Sequence, residues 1–335
     1  FLARAAGDPR WTADVMMPEI EQAIALSWLD RAIYRYLLIP LTKKAILEQD
    51  ESFAWMNRPG WPDWGPGRTD PMNLTKYFMT DVPLDDSVGM ADSPPLWNLR
   101  VRDGDGMALQ WDGSTPSSRS VVIDSALGLG ADPAPPFVEH AEALHAWLST
   151  LPAPPWPANA PPIDGAAAAR GAQIYARECA SCHDVGSAGM GRVMPIAEIG
   201  TDPHRLNSWT AAAADQANAA VEAVGVKRVH MVKTEGYVPP PLDGLWARAP
   251  YLHNGSVPTL RDLLRPPGER PVTFWRGCDL FDPVDVGFVH DGAEAERVGH
   301  LLDTRVRGNG NGGHEYGTGL SAADKADLIE HLKRL

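Results

Sequence analysis

Residues 178–184 read ECASCHD, and within them Cys179, Cys182 and His183 form the pattern C-x-x-C-H. Two thiols spaced by two residues on a helical turn can both add to the vinyl groups on one edge of a porphyrin. The imidazole of the next residue then points back at the iron. This spacing is typical of c-type haem attachment. It predicts one haem c, bound through Cys179 and Cys182, with His183 as the proximal ligand.

The residues before the motif predict a helix that begins after Asp164, a good N-cap, and continues in strong helix formers. A thioredoxin-like redox pair is the alternative reading of two such cysteines, but that arrangement follows a β-strand. The third cysteine, Cys278, is expected to be a small buried residue rather than a ligand. The local pattern therefore favours haem attachment.

Covalent haem attachment takes place outside the cytoplasm, so the sequence predicts a periplasmic or secreted protein. A chain of 335 residues with only three cysteines is consistent with an oxidising compartment, where spare thiols are a liability.

Charge and hydropathy limit the partners. The formal net charge is -13 and the sequence has no clustered basic run, which argues against nucleic acid as a partner. No stretch of about 18 consecutive apolar residues is present, so no membrane span is expected. An acidic surface suits small substrates or a basic protein partner, and the simplest interpretation is that it keeps the protein soluble.

An internal repeat predicts the domain organisation. The segment 93–127 and the segment 238–264 both start from Pro-Pro-Leu, continue to an aromatic residue or histidine before Asp/Asn-Gly-Ser, and lead to a closing helix. In this alignment Trp111 corresponds to His253. A proline-rich connector at 152–165 separates the two copies. The predicted fold is mainly α, with two cytochrome c-like helical domains, 1–155 and 163–335, and long Gly/Pro-rich loops.

Only the second copy contains a C-x-x-C-H motif, and the chain begins at Phe1 without a methionine. We expect the chain to be a fragment of a longer di-haem protein whose first haem motif lies upstream. A first domain that has lost its haem is the alternative.

The segment APYLHNGSVPTLRDLL (249–264) resembles the corresponding part of the di-haem cytochrome c peroxidases and methylamine-utilisation (MauG-type) enzymes. Two further segments, WPDWGPGRTDPMN (61–73) and GNGNGGHEYGTGLS (308–321), are similar to the rubber oxygenase-like branch of that superfamily. The resemblance covers most of the chain from about residue 55.

The resemblance implies two haems with separate roles. One is six-coordinate and transfers electrons, and the other has an open position where peroxide or dioxygen reacts. The partners would be that small oxidant and an electron donor or organic substrate. The competing hypothesis is a plain electron-transfer cytochrome c without catalysis of its own.

A second axial ligand to the haem must come from downstream of His183. His314 is the first choice, because it lies in a glycine-rich loop that can approach a flat macrocycle closely, and the resemblance places a distal histidine there. His253 and Met231 are the alternatives, and the related peroxidases use the equivalent of His253 beside the haem.

Three more residues are assigned to haem pockets. Trp97 and Trp111 are expected to line the open haem of the first domain, where an aromatic wall would exclude water. Arg248 is expected to pair with a haem propionate.

Overall fold

The computed structural model describes residues 2–103 and 107–335; Phe1 and residues 104–106 lie outside the described part. The chain divides into two compact units, residues 1–63 and residues 64–335. The predicted connector at 152–165 lies within the second unit, and the domain boundary at 155–163 stays a prediction. In the described ranges, no helix has the length and apolar character needed to cross a bilayer.

The first unit is helical. Its elements are α1 (Leu2–Gly7), α2 (Ala13–Ala23), α3 (Trp28–Ile33), a π-helical segment (Tyr34–Leu38), α4 (Ile39–Ser52) and a 3-10 turn (Ala54–Asn57). A capping box starts α3, in which Ser27 and Asp30 satisfy each other's backbone amides. The π-helical segment lies directly before Pro40, whose missing N–H cannot continue the α-helical hydrogen-bond pattern.

The second unit begins with a small set of short elements around a helical layer. These are β1 (Arg68–Thr69), α5 (Pro71–Met79), β2 (Ala91–Asp92), α6 (Leu99–Arg102), α7 (Ser118–Gly128) and α8 (Phe137–Leu148). Strands β1 and β2 pair antiparallel. Asp70 and Ser117 start α5 and α7 by accepting hydrogen bonds from backbone amides in the first turn.

The rest of this unit carries the C-x-x-C-H motif. Its helices are α9 (Gly165–Glu178), α10 (Ala180–His183), α11 (Ile196–Ile199), α12 (His204–Ser208), α13 (Ala211–Ala223), α14 (Leu260–Leu263), α15 (Gly292–Val298) and α16 (Ala322–Leu332), with 3-10 turns at Leu245–Arg248 and Pro267–Glu269. Its strands are β3 (Met194–Pro195), β4 (Gly236–Tyr237), β5 (Thr273–Arg276), β6 (Phe281–Asp282), β7 (Gly287–Phe288) and β8 (His300–Asp303). They pair antiparallel as β3 with β4, β5 with β8 and β6 with β7.

Two hydrophobic cores organise the second unit. The first joins α5, α7 and α8 to α13, so it takes residues from both sides of the motif. Its members include Met72, Ile123, Leu127, Leu148, Trp209, Ala217, Val221 and Met231. The second lies between α9 and α16 and beside the segment 245–264. Its members include Ile174, Tyr175, Leu245, Tyr251, Leu260, Leu328, Ile329 and Leu332. The C-x-x-C-H motif packs against this second core through Cys179 and Ala180.

The internal repeat seen in the sequence is also present in the backbone. In each copy, a residue with a left-handed backbone conformation precedes a four-residue helical turn. A second such residue and then a left-handed glycine lie between the two partners of an antiparallel bridge. A serine or threonine then caps the helix that follows. The equivalent pairs are Asn98 and Gly244, Gln110 and Leu252, Gly113 and Gly255, and Ser117 and Thr259. The two copies also exchange hydrogen bonds reciprocally: Asp92 N–H donates to His253 O and Val238 N–H donates to Trp111 O, both at 2.8 Å. The alignment of Trp111 with His253 therefore holds in three dimensions.

Helices α9 and α16 approach each other closely at Gly171. A Cβ atom added there would lie 2.0 Å from the backbone oxygen of Asp327, which cannot move without shifting α16. On the same helix, a Cβ added at Gly165 would meet only Arg334 Nη2 at 3.5 Å, an ordinary contact.

We expect Gly171→Ala to lower the free energy of unfolding by about 1–3 kcal/mol or more, because overpacking forces the two helices apart. Gly165→Ala is the matched control and should leave the stability unchanged or slightly raised. Urea unfolding of both variants, loaded with the same prosthetic group, measures the difference. Equal midpoints for the two variants would show that the helix contact is not close.

Candidate haem-attachment site

The motif lies where α9 ends and a second short helical turn begins. Asp164 caps α9 by accepting hydrogen bonds from Ala166 and Ala167 N–H, which confirms the predicted helix start. At the other end, Cys179 N–H donates to Tyr175 O, and the amides of Cys182 and His183 both donate to Cys179 O. The two cysteines and the histidine thus share one turn of helix.

The imidazole of His183 is oriented by the backbone of the Pro-Pro-Pro run at 239–241. Its Nδ1 lies 2.7 Å from Pro240 O, and since a carbonyl only accepts, Nδ1 carries the hydrogen. Nε2 therefore keeps its lone pair for a metal, the usual arrangement for a ligating histidine. Burial lowers the pKa of His183 and keeps the imidazole neutral.

The cysteines do not have the environment of a redox pair. Burial, followed by the nearby charge of Glu178, raises the pKa of Cys179 to about 11. Reactive C-x-x-C thiols have lowered pKa values instead. An α-helix, not a strand, precedes the motif. Both observations disfavour the thioredoxin-like alternative.

A large cavity opens in front of the motif. Its volume is about 560 Å³, within the range of about 300–1,000 Å³ that cofactor pockets have. Apolar side chains form most of its wall. Eight of the residues singled out in the sequence line it: Trp97, Trp111, Cys179, Cys182, His183, Arg248, His253 and His314. The fold brings together residues that are up to 217 positions apart in the chain (97 to 314).

His314 lies across the cavity from His183. The centroids of the two imidazole rings are 6.3 Å apart. A metal bound by two imidazole nitrogens at about 2.0–2.1 Å each places ring centroids about 6 Å apart. Burial, and after it the nearby His183, lowers the pKa of His314 to about 4, so this imidazole is neutral too. His314 Nδ1 is buried and has no hydrogen-bond partner among the described residues. The pair is spaced to hold one iron between them.

The backbone around His314 is unusual. His314 has a φ of +48°, a left-handed conformation that costs about 1–3 kcal/mol for a residue other than glycine. Its N–H donates to Ile199 O at 2.9 Å, and Gly313 lies so close to Gly200 that a Cβ atom would come within 2.3 Å of Gly200 C. Only glycine fits at position 313, which accounts for the glycine directly before His314.

Arg270, which the sequence analysis did not identify, holds this loop in place. Arg270 is 2 % exposed, and its guanidinium donates to Gly313 O at 2.9 Å and His314 O at 3.2 Å, as well as to Asn311 O. It also reaches two carbonyls on its own side, those of Leu263 and Arg265. No local sequence pattern distinguishes Arg270 from the other arginine of the same proline-rich segment, Arg265.

The alternative ligands are less well placed. The ring of His253 stacks on Tyr237 with centroids 4.2 Å apart, and its Nε2 lies 3.2 Å from the Tyr237 hydroxyl. Burial lowers the pKa of His253 to about 3. Met231 is buried in the first core with α13 and does not line the cavity. The geometry favours His314 over both.

Trp97 and Trp111 form part of the wall of this cavity. The Trp97 indole N–H donates to Asp243 O at 2.8 Å, and that of Trp111 donates to Asp92 O at 2.7 Å. Both rings are thereby fixed against the cavity that contains the motif. Their assignment to the pocket of a second haem stays a prediction.

Arg248 lines the cavity with its side chain 9 % exposed. Its Nη2 donates to the backbone and the carboxylate of Asp243, and its guanidinium lies 5.7 Å from the centre of the Trp97 ring. Its Nε is buried without a partner among the described residues. A cation with an unused donor suits an anionic group in the cavity, and its pairing with a propionate stays a prediction.

The donor set fits haem c. Two thiols on one helical turn, an imidazole with its free Nε2 directed by a backbone carbonyl, a second neutral imidazole 6.3 Å away and an arginine with an unused donor surround an apolar cavity. Bound there, haem would supply an iron that changes oxidation state by one electron.

Comparison with known proteins gives an independent line of evidence. A cytochrome c family model matches residues 168–255, and a family described as RoxA-like, cytochrome c-like matches residues 236–276. Two curated relatives come from Sinorhizobium fredii (strain NBRC 101917 / NGR234). Uncharacterized protein y4iJ is 32% identical over 247 residues, covering 54% of this chain and 41% of the relative. Uncharacterized protein y4iM is 30% identical over 288 residues, covering 73% and 64%.

The chain thus spans 41% and 64% of the length of these relatives. The cytochrome c match includes the complete C-x-x-C-H motif, and the RoxA-like match includes Arg248 and His253. Together they show that the chain contains a cytochrome c-like domain with a RoxA-like segment, and that it is a haem c protein.

Proposed function

We propose that the haem bound at Cys179, Cys182 and His183 is six-coordinate, with His314 as its second axial ligand, and that it transfers electrons. The observation that supports this most directly is the opposition of the two imidazoles across the cavity at 6.3 Å. Two strong axial ligands leave no position for an exogenous molecule, and the buried apolar wall excludes water.

The chain's own residues then perform distinct tasks. The thiols of Cys179 and Cys182 anchor the porphyrin, and the hydrogen bond from His183 Nδ1 to Pro240 O orients the proximal imidazole. Arg270 holds the His314 loop, and Arg248 binds a propionate. Trp97 and Trp111 close the wall.

We further propose that this domain works in a longer periplasmic di-haem oxidoreductase of the peroxidase/rubber oxygenase-like type. The second haem, with an open position, would be attached upstream of this chain and would use peroxide or dioxygen, with an electron donor or organic substrate as partner. The backbone repeat supports this, because the described residues of the segment 93–127 repeat the backbone features of the segment that borders the haem cavity. The relatives, which are longer than the part this chain matches, are consistent with it.

The second candidate function is a non-catalytic electron-transfer cytochrome c. For this chain taken alone, the two neutral imidazoles of His183 and His314 favour an electron carrier, because together they would fill both axial positions of the haem iron.

Carbon monoxide separates the two candidates. The reduced chain should not bind carbon monoxide, whereas the reduced longer protein should bind one molecule per polypeptide if it contains an open haem. If the longer protein does not bind carbon monoxide, the di-haem oxidoreductase is excluded and the electron-transfer cytochrome c is the remaining candidate. Binding to the present chain would contradict the assignment of His314.

Arg270→Gln should loosen the His314 loop while leaving the proposed iron ligands in place. The variant loses the hydrogen bonds from the charged guanidinium to the loop carbonyls, and each such bond contributes about 1.5–3 kcal/mol. We expect a mixture of low-spin and high-spin ferric haem in the visible and electron paramagnetic resonance spectra. Arg265→Gln is the control, because its side chain is 44% exposed and pairs with Asp262. Identical low-spin spectra for both variants would show that Arg270 does not position the loop.

A further inference from the structure

Two buried arginines meet at one carboxylate beside the cavity. Arg102 Nη2 lies 3.8 Å from Asp243 Oδ1, and Arg248 Nη2 lies 3.3 Å from the same atom. The arginine side chains are 8% and 9% exposed. The other carboxylate oxygen, Asp243 Oδ2, accepts a hydrogen bond from Asn98 Nδ2 at 2.8 Å. Among the described residues, the cluster therefore has two positive charges and one negative charge.

The repeat explains why the charges do not balance. Arg102 and Arg248 each end the four-residue helical turn that follows a left-handed residue, Asn98 in one copy and Gly244 in the other. The residue before that position is Trp97 in the first copy and Asp243 in the second. Each copy thus contributes an arginine, but only the second contributes an acid.

The surplus charge has unused hydrogen-bond donors. Arg102 Nε, Arg102 Nη2 and Arg248 Nε are buried and have no hydrogen-bond partner among the described residues. Burying an unpaired charge is costly, so a group of opposite charge is expected beside it. Burial, and after it the neighbouring Arg102, lowers the pKa of Arg248 to about 9, which reflects the same uncompensated charge.

The cluster lies at the boundary of two cavities. Arg248 lines the large cavity, and Arg102 lines a smaller one. Six residues belong to the walls of both: Pro94, Pro95, Trp111, Val238, Pro239 and Pro240. Because both guanidinium groups lie within 4 Å of Asp243 Oδ1, an anionic group at the shared wall would lie near both of them.

We propose that Arg102 and Arg248 together form a carboxylate-binding site for the propionate groups of the haem attached at Cys179 and Cys182. This inference rests on the proposed haem attachment and adds Arg102, from the first copy of the repeat, to the haem site of the second. Guanidinium groups bind carboxylates with strong, charge-assisted hydrogen bonds and keep them ionised.

The test is the midpoint potential of the attached haem as a function of pH, measured on Arg102→Gln, Arg102→Lys and the matched control Arg100→Gln. Arg100 is on the same short helix but is exposed. Without Arg102, the propionate should take up a proton at a higher pH and, once ionised, stabilise the ferric state. The Arg102→Gln potential should therefore meet the wild-type value near pH 5 and fall progressively below it as the pH rises to 8.

Arg102→Lys keeps the charge and should follow the wild-type curve, as should Arg100→Gln. If Arg102→Gln carries attached haem and its midpoint potential follows the wild-type pH dependence, this inference is overturned and the proposed attachment stands. A pyridine haemochrome assay on each preparation reports the attachment itself. Failure of all variants and of the wild type to bind haem would overturn both proposals.

Discussion

Replacing Cys179 and Cys182 together with serine is expected to abolish covalent haem attachment. Serine hydroxyls do not add to the porphyrin vinyl groups, so both thioether bonds are lost while the shape of the helical turn is retained. In a host competent for haem maturation, the intact mass of the double variant should lack the porphyrin. Acid–acetone extraction should remove all of its haemochrome signal, whereas the signal of the wild-type chain should stay with the protein.

The third cysteine provides the matched control. Cys278 is buried, 3% exposed, and lies outside the cavity. Cys278→Ala should retain its haem fully, at a modest cost in stability from the small space it leaves. Haem that resists extraction from the Cys179→Ser/Cys182→Ser variant would refute attachment through these two residues.

The second large effect is expected for His314→Ala. Removal of this imidazole should convert the haem from six-coordinate low-spin to five-coordinate high-spin, because His183 would then be the only axial ligand that the chain provides. The reduced variant should then bind carbon monoxide, which the wild-type chain should not bind. Since the ferric state loses a strong nitrogen donor, the visible spectrum of the oxidised variant should also show a high-spin charge-transfer band.

His253→Gln is the matched comparison, because His253 was the rival ligand and lines the same cavity. Glutamine can still hydrogen-bond to the Tyr237 hydroxyl. This variant should remain low-spin and should not bind carbon monoxide. High-spin haem in His253→Gln together with low-spin haem in His314→Ala would reverse the assignment. Met231→Leu, in the core with α13, should leave the spectrum unchanged.

Local pattern was sufficient for the attachment segment. The predicted cap at Asp164, the helix that follows it and the shared turn of Cys179 to His183 are all present, because a capping side chain and helix-forming residues act within a few positions. The repeat was also readable, since equivalent turns require the same left-handed positions and glycines in both copies.

Other features depend on contacts that no local pattern encodes. The first core joins α13 to α5, α7 and α8, although α13 follows the haem motif in the chain. The identity of the second axial ligand was open among His314, His253 and Met231 because all three residue types can bind iron. Their positions in the fold differ and favour the proposed His314: its ring lies 6.3 Å from that of His183, whereas His253 stacks on Tyr237 and Met231 is in another core.

The amino-acid sequence by itself predicted a covalently attached haem, because the two thioether bonds need two thiols at a short, fixed spacing and the iron needs an imidazole beside them. It did not determine which distant side chains complete the site. Only the tertiary structure places Arg270 behind the His314 loop and brings Arg102 and Arg248 to one carboxylate. The contacts of Arg270 with His314 and of Arg102 with Asp243 join residues 44 and 141 positions apart, and their geometry arises from the packing of whole elements rather than from neighbouring residues.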